Sequence, residues 1–213
     1  MRDTKNYTIL NAIGIKTATF TAAVTDIITA NAHGLVDGNM IVLTTTTTLP
    51  AGLAASTVYY VVQAATNTFK VSLTSGTEGP AVDITSTGTG THTFTMHDIG
   101  NSIFVKDFRN AILNFATDGG SDAALTVKFQ GSIQEDCPDF SAAQSVTNMW
   151  DYIDIIDLED QSSIDGDTGI AVAGADDYRQ LEANINALTW INCILSGWSE
   201  GEVTVKILLT DNQ

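Results

Sequence analysis

Carboxylates are the residues of this chain whose spacing comes nearest to a chemical site. Asp154, Asp157, Glu159 and Asp160 are followed by Asp165-Gly166-Asp167-Thr168-Gly169. Carboxylates two residues apart across a glycine are the kind of ligand that a hard cation such as calcium selects. The segment lacks the third loop acid, the glycine position and the closing Glu of an EF-hand. Acidic loop residues usually face water, so we predict a solvated loop with tight turns and no metal site.

Histidine, the other common metal ligand, is spaced without a metal-binding pattern. His33, His92 and His97 have no nearby cluster of cysteines or carboxylates. His33 lies in a His-Gly-Leu segment, and histidine tolerates unusual backbone angles, so we predict a turn residue that hydrogen-bonds its own loop. The sequence also contains no Gly-x-Ser-x-Gly elbow, phosphate-binding glycine loop or His-Glu-x-x-His motif. These observations favour a protein that is not an enzyme and binds no cofactor.

A sugar-binding or sugar-cleaving site is a third possibility. A retaining glycosidase needs two carboxyl groups roughly 5 Å apart, a spacing that chance supplies in so acidic a chain. The aromatic residues that can stack on a sugar are Trp150, Tyr152, Trp190 and Trp198. Trp190 alternates with Ile191 and Cys193, and we assign it to the core. Trp150 and Trp198 lie at strand ends, and we predict them as exposed interface aromatics.

The overall charge excludes several partners. The chain has 213 residues, a formal charge of −16 and a pI near 4.1. Binding to a phosphate backbone or an anionic membrane surface needs Lys and Arg, so we expect neither nucleic acid nor membrane as a partner. No signal-like start or membrane-spanning apolar run is present, which predicts synthesis in the cytoplasm. Cys137 and Cys193 lie in dissimilar contexts, and we predict free thiols.

The charge is unevenly distributed, which indicates a domain boundary. Residues 1–95 contain five acidic and four basic residues, whereas residues 96–213 contain 20 acidic and five basic residues. The first part is rich in Thr, Ala and Gly, and the second contains all three tryptophans. We divide the chain into an N-terminal strand or arm at 1–16, a small β module at 17–95 and an acidic β-sandwich domain at 96–213. The first and third segments are predicted to form one body, with the module inserted as a guest.

Short β-branched or alternating runs closed by turn residues predict an all-β protein. The expected strands of the module are residues 18–24, 26–29, 40–45, 58–63, 68–73, 82–85 and 92–96. Those of the acidic domain are residues 102–108, 111–117, 124–133, 152–158, 169–173, 178–185, 188–195 and 203–209. The spacing is typical of an antiparallel, jelly-roll-like β-sandwich with a smaller β-sandwich or barrel inserted near the N-terminus. Only residues 176–187 also fit a helix.

Two sets of motifs carry a resemblance to a known class of proteins. The first is His33-Gly34-Leu35, Gly38-Asn39-Met40-Ile41-Val42-Leu43, Tyr59-Tyr60-Val61-Val62, Asn67-Thr68-Phe69-Lys70-Val71-Ser72 and Gly88-Thr89-Gly90-Thr91-His92-Thr93-Phe94. The second comprises Ala124-Leu125-Thr126-Val127-Lys128-Phe129-Gln130-Gly131-Ser132, Asp139-Phe140-Ser141-Ala142-Ala143-Gln144-Ser145, Trp150-Asp151-Tyr152, Ile164-Asp165-Gly166-Asp167-Thr168-Gly169 and residues 182–192. The first set, over residues 25–95, resembles a β module of tailed-bacteriophage structural proteins. The second, over residues 98–210, resembles small virion proteins of the head-decoration, or cement, type.

This resemblance implies a protein that binds major capsid protein subunits from outside the shell, often as a trimer, and stabilises the capsid. It implies a location on the capsid exterior of the virion. A tail, fibre or baseplate component with a glycan-binding β module is the alternative, and a depolymerase is a third possibility.

The N-terminal segment is the expected capsid-binding arm. Its residues are Arg2, Lys5, Tyr7, Ile9 and Leu10, which place local positive charge beside apolar side chains. Such a segment can add as a strand to a partner's sheet edge. On this interpretation, removing residues 1–10 abolishes capsid binding and leaves the fold intact.

Overall fold

The structure is a computed structural model that describes residues 4–13, 16–74, 77–118 and 124–211. The chain divides into two compact units. Unit 1 comprises residues 1–14 and 98–213, and unit 2 comprises residues 15–97; the sequence placed the corresponding boundaries at 16/17 and 95/96. The described residues form strands and no α-helix, so the predicted all-β fold is confirmed. None of them belongs to a helix that is long and apolar enough to cross a membrane.

Unit 1 consists of two antiparallel sheets. The strands of the larger sheet are β1 (Thr4–Ile13), β9 (Asn110–Asp118), β12 (Ile155–Asp157), β13 (Ser163–Ile164), β15 (Tyr178–Ala183) and β17 (Glu202–Thr210). Those of the smaller sheet are β8 (Ile103–Phe104), β10 (Ala124–Ser132), β11 (Asp151–Tyr152), β14 (Ile170–Ala173) and β16 (Trp190–Glu200). The larger sheet has the order β1-β17-β9-β15-β12-β13, and the smaller has β11-β10-β16-β8 with β14 also paired to β10.

The strands of unit 1 pair from the two ends of the chain inward. The first strand, β1, pairs with the last, β17, and β8 pairs with β16. In the same way β9 pairs with β15, and β10 pairs with β14 and β11. Because successive pairs belong to alternate sheets, unit 1 is a long antiparallel hairpin that folds back on itself to form two packed sheets. This is jelly-roll topology, as the sequence predicted.

Alternation of side chains along the strands builds the core of unit 1. Leu125, Val127 and Phe129 of β10 are buried, and their neighbours in sequence point to the other face. In β17 the buried residues are Val203, Val205, Ile207 and Leu209. Ile207 lies opposite the buried Leu113 of β9, and Val205 lies opposite Phe115. Burial of each such side chain stabilises the fold by about 1.5–3 kcal/mol.

Unit 2 is a closed six-stranded barrel. Its strands are β2 (Thr17–Ala22), β3 (Ile28–Thr29), β4 (Met40–Thr45), β5 (Val58–Val62), β6 (Thr68–Ser72) and β7 (His92–Met96), in the order β2-β3-β6-β5-β4-β7. The first and last strands close the barrel, with Thr17 opposite Thr95. Closure leaves no free sheet edge among these strands.

Phenylalanine residues lie on the inner face of the barrel wall, and threonine residues lie on the outer face. Phe69 and Phe94 are buried and meet edge to face inside, with ring centroids 5.7 Å apart. On the outside, Thr19, Thr93 and Thr44 form one row across β2, β7 and β4. Threonine suits such positions because its β-branched side chain favours strands and its hydroxyl meets water. Of the run Thr44 to Thr48, Thr44 and Thr45 lie in β4 and the following residues leave the strand.

Several predicted elements differ from the structure. Residues 82–85 are not a strand, because their backbone groups are used elsewhere: the Ile84 N–H donates to the Asp26 carboxylate over 2.9 Å, and the Thr85 N–H donates to the Ala51 carbonyl over 3.0 Å. The predicted strand at 102–108 contracts to the two residues of β8, and that at 152–158 divides into β11 and β12, which belong to different sheets. Residues 178–183 form β15, which removes the helical alternative.

Candidate functional site

The acidic loop uses its carboxylates to hold its own backbone. The Asp165 carboxylate accepts the N–H groups of Asp167 and Thr168 over 3.0 and 2.8 Å. The hydrogen bond from Thr168 lowers the pKa of Asp165. Gly166 is required because a Cβ atom there would collide with the Ile153 carbonyl. These contacts match the predicted tight turns, and the described residues contain no group of three His, Cys, Asp or Glu residues able to hold a metal ion.

Two further acidic residues, Asp157 and Asp177, share an ion pair with Arg179. Arg179 donates to Asp177 over 2.7 Å and to Asp157 over 3.3 Å, and Asp157 is almost fully buried. The hydrogen bonds that Arg179 donates to Asp177 raise the pKa of the guanidinium. The Asp177 N–H also donates to the Thr117 hydroxyl on β9 over 2.7 Å. The network therefore ties Asp177, just before β15, to β12 and β9 of the larger sheet.

Two histidines serve local structure in unit 2. His33 is buried, and its Nδ1 accepts the Leu35 N–H over 3.0 Å, which confirms the predicted turn within its own loop. His92 is buried beside Phe20, with ring centroids 5.4 Å apart. Its Nδ1 lies 2.8 Å from the Thr45 hydroxyl. These rings are positioned to stabilise turns and the barrel wall.

Both cysteines are free thiols. Cys193 is fully buried in β16, and burial raises the pKa of its thiol strongly. Cys137 is an exposed residue, yet partial burial of its thiol also raises the thiol pKa. Raised thiol pKa values disfavour the reactive thiolate at neutral pH.

The N-terminal segment is a paired strand of unit 1 and not a free arm. Tyr7 lies opposite Ile207 of β17, and Leu10 lies opposite Val205. Ile9 and Leu10 are buried in the core, so the prediction that they contact a partner is wrong for these two residues. The expectation that removing residues 1–10 leaves the fold intact is corrected for the same reason. Lys5 and Tyr7 are exposed, and Arg2 lies outside the described residues.

The tryptophans occupy three separate environments, and all are half-buried. The Trp150 indole N–H donates to the Ala142 carbonyl over 3.1 Å, and its ring contacts Tyr152 edge to face at 5.4 Å. The Trp198 N–H donates to the Gly201 carbonyl over 2.7 Å. Assignment of Trp190 to the core is wrong, because alternation in β16 buries Ile191 and places Trp190 on the opposite face of the sheet.

Trp190 is half-buried and lies beside exposed apolar side chains that the sequence interpretation missed. Its ring contacts Phe104 of β8 edge to face, with centroids 5.2 Å apart. Ile133 and Met149, in the loop that follows β10, are also exposed. The available signal was Met149, which lies outside every predicted strand, whereas Ile133 was assigned to the predicted strand at 124–133. We call Phe104, Ile133, Val146, Met149 and Trp190 the Trp190 patch.

The grooves of the two units are shallow or small. A groove of about 520 Å³ in unit 2 is lined by backbone and small side chains around Leu35 and Ala64. Its acidic residue, Asp37, is already bound to the Ala64 N–H over 2.7 Å. A polar groove of about 220 Å³ in unit 1 is lined by Arg109, Glu182 and asparagines. Neither groove combines a nucleophile with a general base within hydrogen-bond reach.

Comparison with known proteins gives no family. No family model and no curated protein sequence matches the chain. Among solved structures, it is similar to the SPBc2 prophage-derived protein YomS, with 14% identity and a TM-score of 0.37 over 53% of this chain and 80% of that one. It is similar to the PBSX exported protein XepA, with 9% identity and a TM-score of 0.37 over 99% of this chain and 82% of that one. YomS is a prophage-derived protein.

A third similar structure is the K1 cleaved adhesin domain of Lys-gingipain from Porphyromonas gingivalis W83. It shares 10% identity at a TM-score of 0.28, over 99% of each chain. At identities and TM-scores this low, none of the three similarities assigns this chain to a family or a function.

Proposed function

We propose that this chain is a non-enzymatic structural protein of a phage virion. On this proposal it decorates the outer surface of the capsid and stabilises the shell by binding major capsid protein subunits as a trimer. The sequence resemblance over residues 25–95 and 98–210 supports this role. The observation on the molecule that carries the proposal is the concentration of acidic charge on unit 1.

Unit 1 contains 21 acidic and seven basic residues, a net charge of −14. Packaged DNA is a dense negative charge, so a surface of this sign is repelled from the capsid interior. A high net charge also keeps many copies soluble before they assemble. Both properties suit a protein that accumulates in large numbers on the outside of a shell.

The contacts of the polar groups agree with a structural role. Asp157 and Asp177 are bound by Arg179, and Asp165 is bound by its own loop. Side chains used in this way hold the fold and offer no paired acid and base to a substrate. On this proposal, affinity for the shell comes from apolar and backbone contacts across the outside of unit 1.

Binding to shells tests the proposal. Purified protein is added to shells prepared from the encoding phage after deletion of this gene, and bound copies are counted after sedimentation. We expect saturable occupancy in proportion to capsid subunits and a higher temperature of shell disruption. Saturation on tails alone would favour the glycan-binding tail component, and turnover of a polysaccharide would favour an enzyme. Either result, or an absence of saturable binding, contradicts the proposal.

A further inference from the structure

We propose that the Trp190 patch is the surface through which unit 1 docks on the assembled shell, against an apolar protein surface with a basic rim. This inference rests on the proposed function and names the face that performs it.

The members of the patch lie on neighbouring segments at one end of the smaller sheet of unit 1, where the Phe104 and Trp190 rings are in contact. Trp190 lies between Phe104 of β8 and Ser132 of β10 in the strand register. Ile133 follows Ser132 directly, and the Ser132 hydroxyl donates to the Met149 carbonyl over 2.5 Å. The rings and the aliphatic side chains are therefore presented by neighbouring segments of the same sheet end.

The patch leaves large apolar side chains in water. Ile133 is 66% exposed, Met149 49% and Phe104 38%. Val146 is 89% exposed at a turn in which Ser145 and Asn148 exchange backbone hydrogen bonds. Turn positions normally carry Gly, Asn, Asp or Pro, whose conformations suit them, so a bare valine there has no local structural reason. Exposed apolar side chains gathered at one end of a sheet are a feature of interaction sites.

Hydrogen bonds hold the patch in one conformation. Gln134 accepts the Met149 N–H over 2.9 Å and donates to the Thr147 carbonyl over 3.4 Å, which ties the valine turn to the segment after β10. The Asn148 side chain exchanges hydrogen bonds with the backbone of Asp139 at 2.8 and 2.9 Å. A surface ordered in advance loses less conformational entropy when it binds.

Charge around the patch selects the partner. The indole N–H of Trp190 donates to the Glu135 carbonyl over 3.3 Å, which brings Glu135 and Asp136 to the rim. Asp139 and Asp151 belong to the same loop region, and Lys106 is the basic residue nearest to Phe104 in sequence. A second copy docked on this face would bring one acidic rim against another, and like-charge repulsion disfavours that contact. A partner surface that is apolar and carries Lys or Arg at its edge complements the apolar patch and its acidic rim.

Shell binding by substituted proteins tests the docking face. The double variant Ile133→Lys with Val146→Lys alters exposed positions only, so its melting temperature is expected to match that of the unmodified protein. We expect the concentration for half-saturation of gene-deleted shells to rise by about tenfold or more. Tyr178→Lys, at an equally exposed position on the larger sheet, is the matched control and is expected to bind normally. Glu135→Lys with Asp136→Lys is expected to weaken binding and reduce its salt dependence.

The outcomes separate the two proposals. If the unmodified protein saturates the shells and the Ile133→Lys, Val146→Lys variant binds equally well, the docking face is wrong and the proposed function stands. If the unmodified protein does not bind, both fail. If sedimentation shows self-association that the double variant abolishes, the patch joins copies of this chain and the docking inference is overturned.

Discussion

Unit 1 and unit 2 are both built from antiparallel strands, but they expose different side chains to solvent. Unit 1 carries a net charge of −14, whereas unit 2, with four acidic and two basic residues, carries −2. The outer wall of the barrel presents threonine rows, while the loops of unit 1 present carboxylates. Alternating burial specifies both folds, so the contrast lies in the side chains that the units expose. This contrast indicates that the two units contact different surfaces.

The units also differ in how the chain closes them. Unit 2 is one continuous segment whose first and last strands pair at Thr17 and Thr95. Unit 1 needs β1 and β17 from opposite ends of the sequence, and its core includes Ile9 and Leu10 from the first strand. We therefore expect damage to β1 to remove unit 1 and spare unit 2.

The largest effect is expected from Leu10→Asp. This change buries an unpaired carboxylate in the core, at a cost of roughly 3–5 kcal/mol or more, which is a large part of the stability of a domain. Amide hydrogen exchange should lose protection over residues 98–211 and keep it over residues 16–97. Tyr7→Asp, on the exposed part of the same strand, is the control. Equal loss of protection in both units would contradict their independence.

The converse change is Phe94→Ala in the barrel. Removal of this buried ring is expected to cost about 3–5 kcal/mol in unit 2 through lost transfer free energy and a residual cavity. The same exchange measurement should report the loss over residues 16–97 and none over residues 98–211. Thr93→Ala, its neighbour on the outer face, should change the stability by less than about 1 kcal/mol.

A smaller effect is expected from Arg179→Ala. The change leaves the nearly buried Asp157 without its cation, at a cost of about 1–2 kcal/mol because the guanidinium is one-third exposed and already screened by solvent. Thermal unfolding of unit 1 measures the loss, and Lys206→Ala on the outer face of β17 is the control. An unchanged melting temperature would mean that the ion pairs contribute nothing to the loop.

The smallest effect is expected from Asp165→Ala, which removes the acceptor for the Asp167 and Thr168 N–H groups. Because folding lowers the pKa of Asp165, its contribution is present above the ordinary carboxyl pKa and is lost as the pH falls through the lowered value. The melting temperature of this variant should therefore lie slightly below that of the unmodified protein at neutral pH and converge with it in acid. Asp165→Asn keeps an oxygen acceptor, so its melting temperature at neutral pH should lie between those of Asp165→Ala and the unmodified protein. A difference in melting temperature that grows as the pH falls would contradict the lowered pKa of Asp165.

Sequence periodicity was sufficient for most of the fold. The predicted strands at residues 124–133 and 203–209 match β10 and β17 because strict alternation leaves one buried face. β13 was missed because two residues carry no detectable period. Residues 82–85 have strand composition, yet the Asp26 side chain takes the N–H that a neighbouring strand would need.

The site was less predictable because its members are brought together by pairing between distant strands. The sequence predicted one body from residues 1–16 and 96–213, but nothing local to Ile9 and Leu10 identifies β17 as their strand partner or shows that they are buried, so both were also assigned to a capsid-binding arm. Trp190 was assigned to the core from its apolar neighbours, although the same alternation places it on the outer face beside Phe104. Only the pairing of β8 with β16 identifies that face as a patch.

The copy number per particle tests the central claim most directly. A quantified protein gel of purified virions, calibrated against the major capsid protein, gives the number of copies of this chain. The account predicts hundreds of copies in a fixed ratio to the capsid protein, as expected for a component that covers the shell. A few dozen copies or fewer, or none in the particle, would contradict it.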